Sequence, residues 1–412
     1  MLPKRQQGGF RAFDHRFEER QALPNRIERH AEEIIDLIVK NYETQLSREQ
    51  LRYEAQEIRK LMMPDLLPIG QLEVSRLRRA ANIYHRLGIA PDRAYGTWQD
   101  MLAGETARED RVDLVTVATP NSTHFEITKA FLEAGFNVLC EKPMTLTVEE
   151  GEEIVKIAKA SGKICAVNYC YSAYPMVREM RQMVASGQIG KVRLIVANFS
   201  HGHHGDAADA DNPRVRWRYD PAMAGVSGQF ADCGIHALHM ASFIAGDEVK
   251  TLSADFASTI ASRELEDDAM VNFRMEGGTV GRLWTSSVAI GRQHGFDIQV
   301  FGETGGLKWW AEQPGQVIYT PLGGRTQIME KGESGLSDEA TRLSRVAIAH
   351  PEGFPMAVAN IYVDLAAAIQ GQPHGAYPTA LDGLRSMAAV HQAVASANAK
   401  GAWVDARPPM YR

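Results

Sequence analysis

Three short apolar runs set what this chain can fold into. Val112–Ala118, Phe136–Cys140 and Lys163–Asn168 are dominated by apolar and β-branched residues and show no regular polar alternation. A strand buried on both faces reads this way, whereas one with a wet face alternates. Helical stretches separate them: Thr123–Glu133, stopped by Gly135, and a second stretch opened by a Thr147/Glu150 capping box and closed by Gly162. Strand, helix, strand, helix, strand with continuous apolar strands means a parallel sheet covered on both faces. Pro175–Ser186 reads as one more helix, ended by Gly187.

After about residue 190 the pattern becomes mostly β. Strands are predicted over Val192–Phe199, Thr251–Phe256, Ala269–Met275, Thr279–Ser287, Phe296–Gly302 and Gln316–Tyr319, with hairpin turns at 277–278 and 302–303. Helices are predicted over Asp232–Ala245, Met356–Ile369 and Ala380–Ala397. The fold class is α/β: a doubly wound parallel sheet, then an α+β domain with a large, mainly antiparallel sheet. Residues 1–70 stand apart, with twelve basic and twelve acidic side chains. Two amphipathic helices are read there, near Arg26–Lys40 and from Ser47 to Pro64. A further helix over Arg76–Leu87 ends at Gly88.

Charge removes some classes of partner. The chain carries 45 Lys and Arg against 51 Asp and Glu, a net charge of −6. That gives no broad attraction to nucleic acid or an anionic membrane. No apolar run approaches the roughly 20 residues of a membrane span. The segment Met1–Arg11 is basic with no apolar stretch behind it, so no secretory signal is read. Cys140, Cys165, Cys170 and Cys233 form no CxxC pair and read as buried thiols of a reducing compartment. A cytoplasmic location is expected.

Three motifs carry chemistry. Ala118-Thr119-Pro120-Asn121-Ser122-Thr123-His124 ends a parallel strand and opens a helix, where open α/β sheets bind ligands. An ordinary turn capped by Asn121 or Ser122 would read the same way. Glu141-Lys142-Pro143 ends the next strand and puts a lysine at the rim, able to polarise a substrate oxygen or to remain a solvated loop residue. Asp232-Cys233-Gly234-Ile235-His236 sets Asp and His one helical turn apart, so that the carboxylate orients the imidazole and raises its basicity. An N-cap Asp beside a packed His, or half of a metal site, are the competing readings. Further ligands at helical spacing are missing, and no metal is expected there or at His201, His203 and His204.

In combination these motifs resemble the Gfo/Idh/MocA family, named for glucose–fructose oxidoreductase, inositol dehydrogenase and rhizopine-catabolism oxidoreductases. The resemblance runs over about residues 75–405, through ATPNSTH (118–124), EKP (141–143), VNYCYSAYP (167–175), WRYDP (217–221), DCGIH (232–236) and GETGGL (302–307). It implies a Rossmann-like nucleotide-binding domain over 71–190 and a substrate-binding and oligomerisation domain over 191–412. The implied reaction moves a hydride between NAD or NADP and a secondary alcohol of a sugar, polyol or inositol. Lys142, Asp232 and His236 are then catalytic and also hold substrate, with His236 taking the hydroxyl proton. Ala118, Thr119, Pro120, Asn121, His124, Glu141, Lys142, Asn168 and Tyr169 line the cofactor, and Trp217 and Arg218 contact substrate. A homodimer or homotetramer is implied, formed over the open sheet face.

One family feature is missing. Members open with a strand and a GxGxxG turn that cradles the pyrophosphate. Here Gly8-Gly9 follows no strand, and Gly70 is isolated. A chimeric or frameshifted gene start, a rearranged nucleotide site, and a member that has lost cofactor binding all remain open. A sugar- or nucleotide-binding regulatory protein is therefore the alternative to a dehydrogenase. Without the missing half, the strand at 112–118 lacks a neighbour. Weak dinucleotide binding and poor packing of the first domain are expected.

Overall fold

A computed structural model describes residues 90–412. The helices read near 26–40, 47–63 and 76–87 lie outside the described residues. The chain divides between residues 71 and 72, and every described residue belongs to the second unit.

The three apolar runs form one parallel sheet in the order β1 (Leu114–Val117), β2 (Asn137–Cys140), β3 (Cys165–Val167). Helix α1 (Trp98–Thr106) precedes it, and α2 (His124–Glu133) and α3 (Val148–Ser161) are the crossovers. The local rules hold here. Thr147 accepts a hydrogen bond from the Glu150 N–H at 3.2 Å, and Glu150 accepts one from the Thr147 N–H at 3.2 Å. Gly162 ends α3 in the left-handed region, φ +65°. Helix α4 (Pro175–Ala185) then leads to the second sheet.

That sheet has nine strands among the described residues. In chain order they are β4 (Val192–Ser200), β5 (Val249–Ala257), β6 (Asp268–Met275), β7 (Val280–Ser286), β8 (Phe296–Gly302), β9 (Gly305–Trp310), β10 (Gln316–Pro321), β11 (Gln327–Glu330) and β12 (Val404–Asp405). Their spatial order is β11-β10-β9-β8-β4-β7-β6-β5-β12, and only β4–β7 is parallel. Helix α5 (Ile235–Ala245) packs on β4 and β8. Between β11 and β12 come α6 (Phe354–Ile369) and α7 (Ala380–Asn398), with α7 lying against β5. The inner face alternates in register with the pleat, as with Ala269, Val271, Phe273 and Met275 along β6. Gly281 on β7 makes room for Phe273, whose ring would lie 2.0 Å from an added Cβ.

Two expectations need correction. The described part of the first sheet is not loosely packed: Val138, Leu139, Cys140, Ala166 and Val167 are fully buried in continuous apolar clusters. The helix read over Asp232–Ala245 is not one regular helix. Phe230–Gly234 winds as a π turn, and the α-helix begins only at Ile235. No helix among the described residues is long and apolar enough to cross a membrane.

Candidate active site

Sheet register builds the first half of the site. Val117 pairs with Cys140, and Cys140 with Val167, so the three strands end level. The residues that follow are therefore neighbours: the Glu141 N–H donates to the Val117 carbonyl at 2.8 Å, and the Asn168 N–H to the Cys140 carbonyl at 2.8 Å. Asn168 Nδ2 donates to Glu141 Oε1 at 2.6 Å, which leaves the buried Asn168 Oδ1 with no partner among the described residues. Ala118, Thr119 and Pro120 form an exposed lip, and Asn121 opens a short 3-10 turn. Lys142 projects from the rim.

The π turn supplies the second half. Lys142 Nζ donates to the Asp232 carbonyl at 2.7 Å and makes a second, shorter hydrogen bond to Asp232 Oδ1. Arg218 Nε lies 3.4 Å from Asp232 Oδ2. The 230–234 winding is tight: a Cβ on Gly234 would lie 2.3 Å from the Phe230 ring. Such π turns often occur where a helix presents functional side chains. Its entry is held by Glu266, a buried carboxylate that accepts from the Ser227 hydroxyl at 2.6 Å, the Gly228 N–H at 3.0 Å and the Phe230 N–H at 2.9 Å. Sequence reasoning missed Glu266. It sits in an acidic run with Glu264, Asp267 and Asp268 that reads as an ordinary polar connection before a strand, and its contacts lie 36 to 39 residues back in the chain.

His236 follows on α5 and is buried in an aromatic box. Tyr169 and Tyr171 meet its ring edge to face, with centroids 5.6 and 4.9 Å away, and Phe199 lies at 6.1 Å. Its Nδ1 has no hydrogen-bond partner among the described residues.

The electrostatics correct one expectation. Asp232 does not raise the basicity of His236 above the ordinary value. Burial, then the Lys142 ammonium, push the imidazole well below its usual range, and the opposing pull of Asp232 is weaker. Burial is the main cause, and the carboxylate that opposes it is already engaged by Lys142 and Arg218. Burial alone would raise the Asp232 carboxyl, yet Lys142 and Arg218 hold it well below the usual carboxylate range. Burial opposes the Lys142 ammonium, but Asp232 keeps it above its ordinary value.

Other predicted residues fall in different places. Arg218 reaches the site through Asp232, and Trp217 joins it only as the ring beneath the Arg218 guanidinium, 4.5 Å away. His124 is fully buried with both ring nitrogens on backbone carbonyls, so its side chain offers no group to a cofactor. Tyr169 stacks on His239 at 4.3 Å. His201 accepts from the His203 N–H at 3.3 Å and sets Nε2 3.6 Å from Cys233 Sγ, while His204 meets Tyr219 Oη at 3.2 Å. Among the described residues no three His, Cys, Asp or Glu side chains are grouped to hold a metal.

Residues 55–169 match the oxidoreductase family with an NAD-binding Rossmann fold, and residues 177–308 match the GFO/IDH/MocA C-terminal domain. The uncharacterized oxidoreductase YfiI of Bacillus subtilis (strain 168) is 36% identical over 330 residues, covering 77% of this chain and 84% of that protein. The chain belongs to the Gfo/Idh/MocA oxidoreductase family. Its cofactor class is accordingly the nicotinamide dinucleotide. Among solved structures, an inositol dehydrogenase homolog from Azotobacter vinelandii, complexed with NAD+, superposes with a TM-score of 0.75. The two are 34% identical over 80% of this chain and 87% of the other. Levoglucosan dehydrogenase of Pseudarthrobacter phenanthrenivorans is 26% identical over 218 residues, covering 48% of this chain and 55% of that enzyme.

The strand ends fit the nicotinamide end of such a cofactor. The unpartnered Asn168 Oδ1 is a buried acceptor of the kind a carboxamide NH2 would satisfy, and Glu141 lies beside it. The sequence holds no GxGxxG turn for the pyrophosphate end.

Proposed function

We propose that the chain is an NAD(P)-dependent dehydrogenase acting on a secondary alcohol of a sugar, polyol or inositol, with Lys142, Asp232 and His236 as its catalytic residues. One observation carries the reading: a lysine from the end of β2 and an aspartate from a π turn meet one helical turn before a buried histidine with a free ring nitrogen. Relatives named for inositol and levoglucosan support the substrate class. Nothing in the geometry favours the regulatory alternative.

The bound dinucleotide supplies the hydride acceptor. Asn168, Glu141 and the residues Ala118, Thr119, Pro120 and Asn121 at the strand termini would hold its nicotinamide end. The chain's own groups do the proton chemistry. An alcohol oxygen beside Lys142 Nζ has its developing negative charge stabilised by the ammonium. His236, neutral because burial disfavours its charged form, takes the hydroxyl proton. Such a weakly basic imidazole accepts a proton only from an alcohol that Lys142 has made more acidic, so the two act as a unit. Asp232 fixes Lys142 and Arg218 on the substrate side. The aromatic box around His236 keeps water from competing for the proton.

Initial-rate assays of inositols, aldoses and alditols with NAD+ and with NADP+ test this. Turnover with at least one pair is expected, and its loss in Lys142→Ala. The missing glycine turn predicts dinucleotide affinity weaker than micromolar by calorimetry. Sub-micromolar binding would show that another segment cradles the pyrophosphate. No turnover with any pair, together with no cofactor binding, removes the dehydrogenase reading. We also propose self-association through the outer face of the nine-stranded sheet, where Met270, Phe301 and Ile328 are exposed. A monomer in sedimentation would exclude it.

A further inference from the structure

The loops after β1 and β2 are tied together by one side chain. His124 is the first residue of α2 and is fully buried. Its Nδ1 lies 2.7 Å from the Pro143 carbonyl oxygen, and its Nε2 lies 2.8 Å from that of Thr119. A carbonyl only accepts, so the ring faces an acceptor at each of its two nitrogens and meets it as a donor wherever it carries an N–H. The two carbonyls belong to different functional segments. Thr119 is the middle residue of the exposed Ala118–Pro120 lip that leads into Asn121. Pro143 directly follows Lys142, whose Nζ ends on Asp232.

We infer that His124 is a positioning residue of the dinucleotide site: a cross-link that fixes the 118–120 lip and the Lys142 turn relative to each other without touching a ligand. Few side chains could replace it. An amide carries its donor and its acceptor on the same end, so Gln serving one carbonyl cannot serve both in this way. Phenylalanine fills the ring's space and donates nothing. The Lys142 backbone is otherwise anchored by its N–H, 3.3 Å from the Glu141 carboxylate, a contact within the same turn. Beside the Glu141–Val117 backbone bond, the His124 contact ties this turn to the neighbouring strand's loop. The cofactor side of this inference rests on the dehydrogenase reading; the cross-link itself does not.

The test uses the full-length chain with His124→Phe and His124→Gln. In cofactor-free protein, backbone amide exchange is expected to speed up about tenfold in peptides covering 119–123 and 141–144 of His124→Phe. The Gln variant should show less than that, and β6 no change. NADH binding followed by fluorescence should weaken about tenfold in His124→Phe, with partial recovery in His124→Gln. Unchanged exchange in both loops overturns the inference. So does acceleration spread evenly over the chain, which would make the ring a packing element only. If His124→Phe does not fold, the Gln variant's loop exchange decides alone. Wild-type protein that binds no NADH would count against the dehydrogenase reading, while loop exchange would still decide the clamp.

Discussion

The two sides of the site are built by different means. On the parallel-sheet side, position comes from register: three strands end level, and whatever follows them is aligned by backbone hydrogen bonds. On the other side, Asp232 and His236 ride on a turn that departs from regular helix and whose entry is pinned by a buried carboxylate. Ladder register is shared among many backbone bonds, so the strand ends stay level whichever single side chain is changed, and His124 acts on the loops beyond them. The π turn concentrates its support in Glu266. Damage to the two halves should therefore differ in kind.

The largest effect tests the chemistry on the π-turn side. His236→Ala is expected to lower turnover by roughly 100-fold or more, the loss typical of a missing general base. Full turnover in that variant would leave the π turn a structural feature and confine the chemistry to the strand ends.

Next comes the support of each half. Glu266→Ala leaves the Ser227 hydroxyl and the Gly228 and Phe230 N–H groups buried without their acceptor. It should cost about 2 kcal/mol of stability and reduce kcat with little change in NADH affinity. Thr147→Ala removes a cap at the foot of α3 and should cost about 1 kcal/mol with kcat unchanged. Denaturant titration and kinetics of both variants check this. Equal effects on kcat would erase the contrast between the two sides.

The same contrast explains what could be read from sequence. The parallel sheet was legible because its strands are continuous apolar runs and its helices carry local punctuation, the Thr147/Glu150 box and Gly162. Pairs such as Lys142 with Asp232 could be suspected but not placed, since their contact spans 90 residues. The π turn left no periodic trace: Asp232 and His236 fit one helical turn equally well on a regular helix. Strands β9, β11 and β12 escaped for local reasons. β9 opens on Gly305-Gly306, β11 has no buried face, and β12 is two residues long. His124 looked like a ligand contact because its motif lies at a strand end. Only the two carbonyl distances show it facing inward.

The smallest expected effect is a flat line. An imidazole of ordinary basicity would titrate near 6.5 and switch off alcohol oxidation below that pH. His236 is held well below this range by burial and by Lys142, so its proton-accepting form persists as pH falls from 8 to 6. Lys142 stays charged throughout, being raised above its ordinary value. Glu248, pushed up to about 7 by burial, does titrate in this window, but it pairs with Arg385 at 2.8 Å, away from the Lys142–Asp232 contact. We therefore expect kcat/KM for oxidation to change less than about twofold between pH 6 and 8. The reverse reduction needs the scarce protonated form and should fall about tenfold per pH unit over the same range. Stability runs in the acid direction. His201 and His239, both lowered to about 4, and His236 bind protons more readily unfolded. Their contribution is complete above about 6.5 and is lost as pH falls toward 4. Glu248 opposes them between its ordinary value of 4.5 and about 7. Initial rates in both directions and thermal melts across pH 4 to 8 measure all of this. A break near 6.5 in the oxidation limb would mean that Asp232 governs the imidazole after all, and that the Lys142 and Arg218 contacts do not neutralise it.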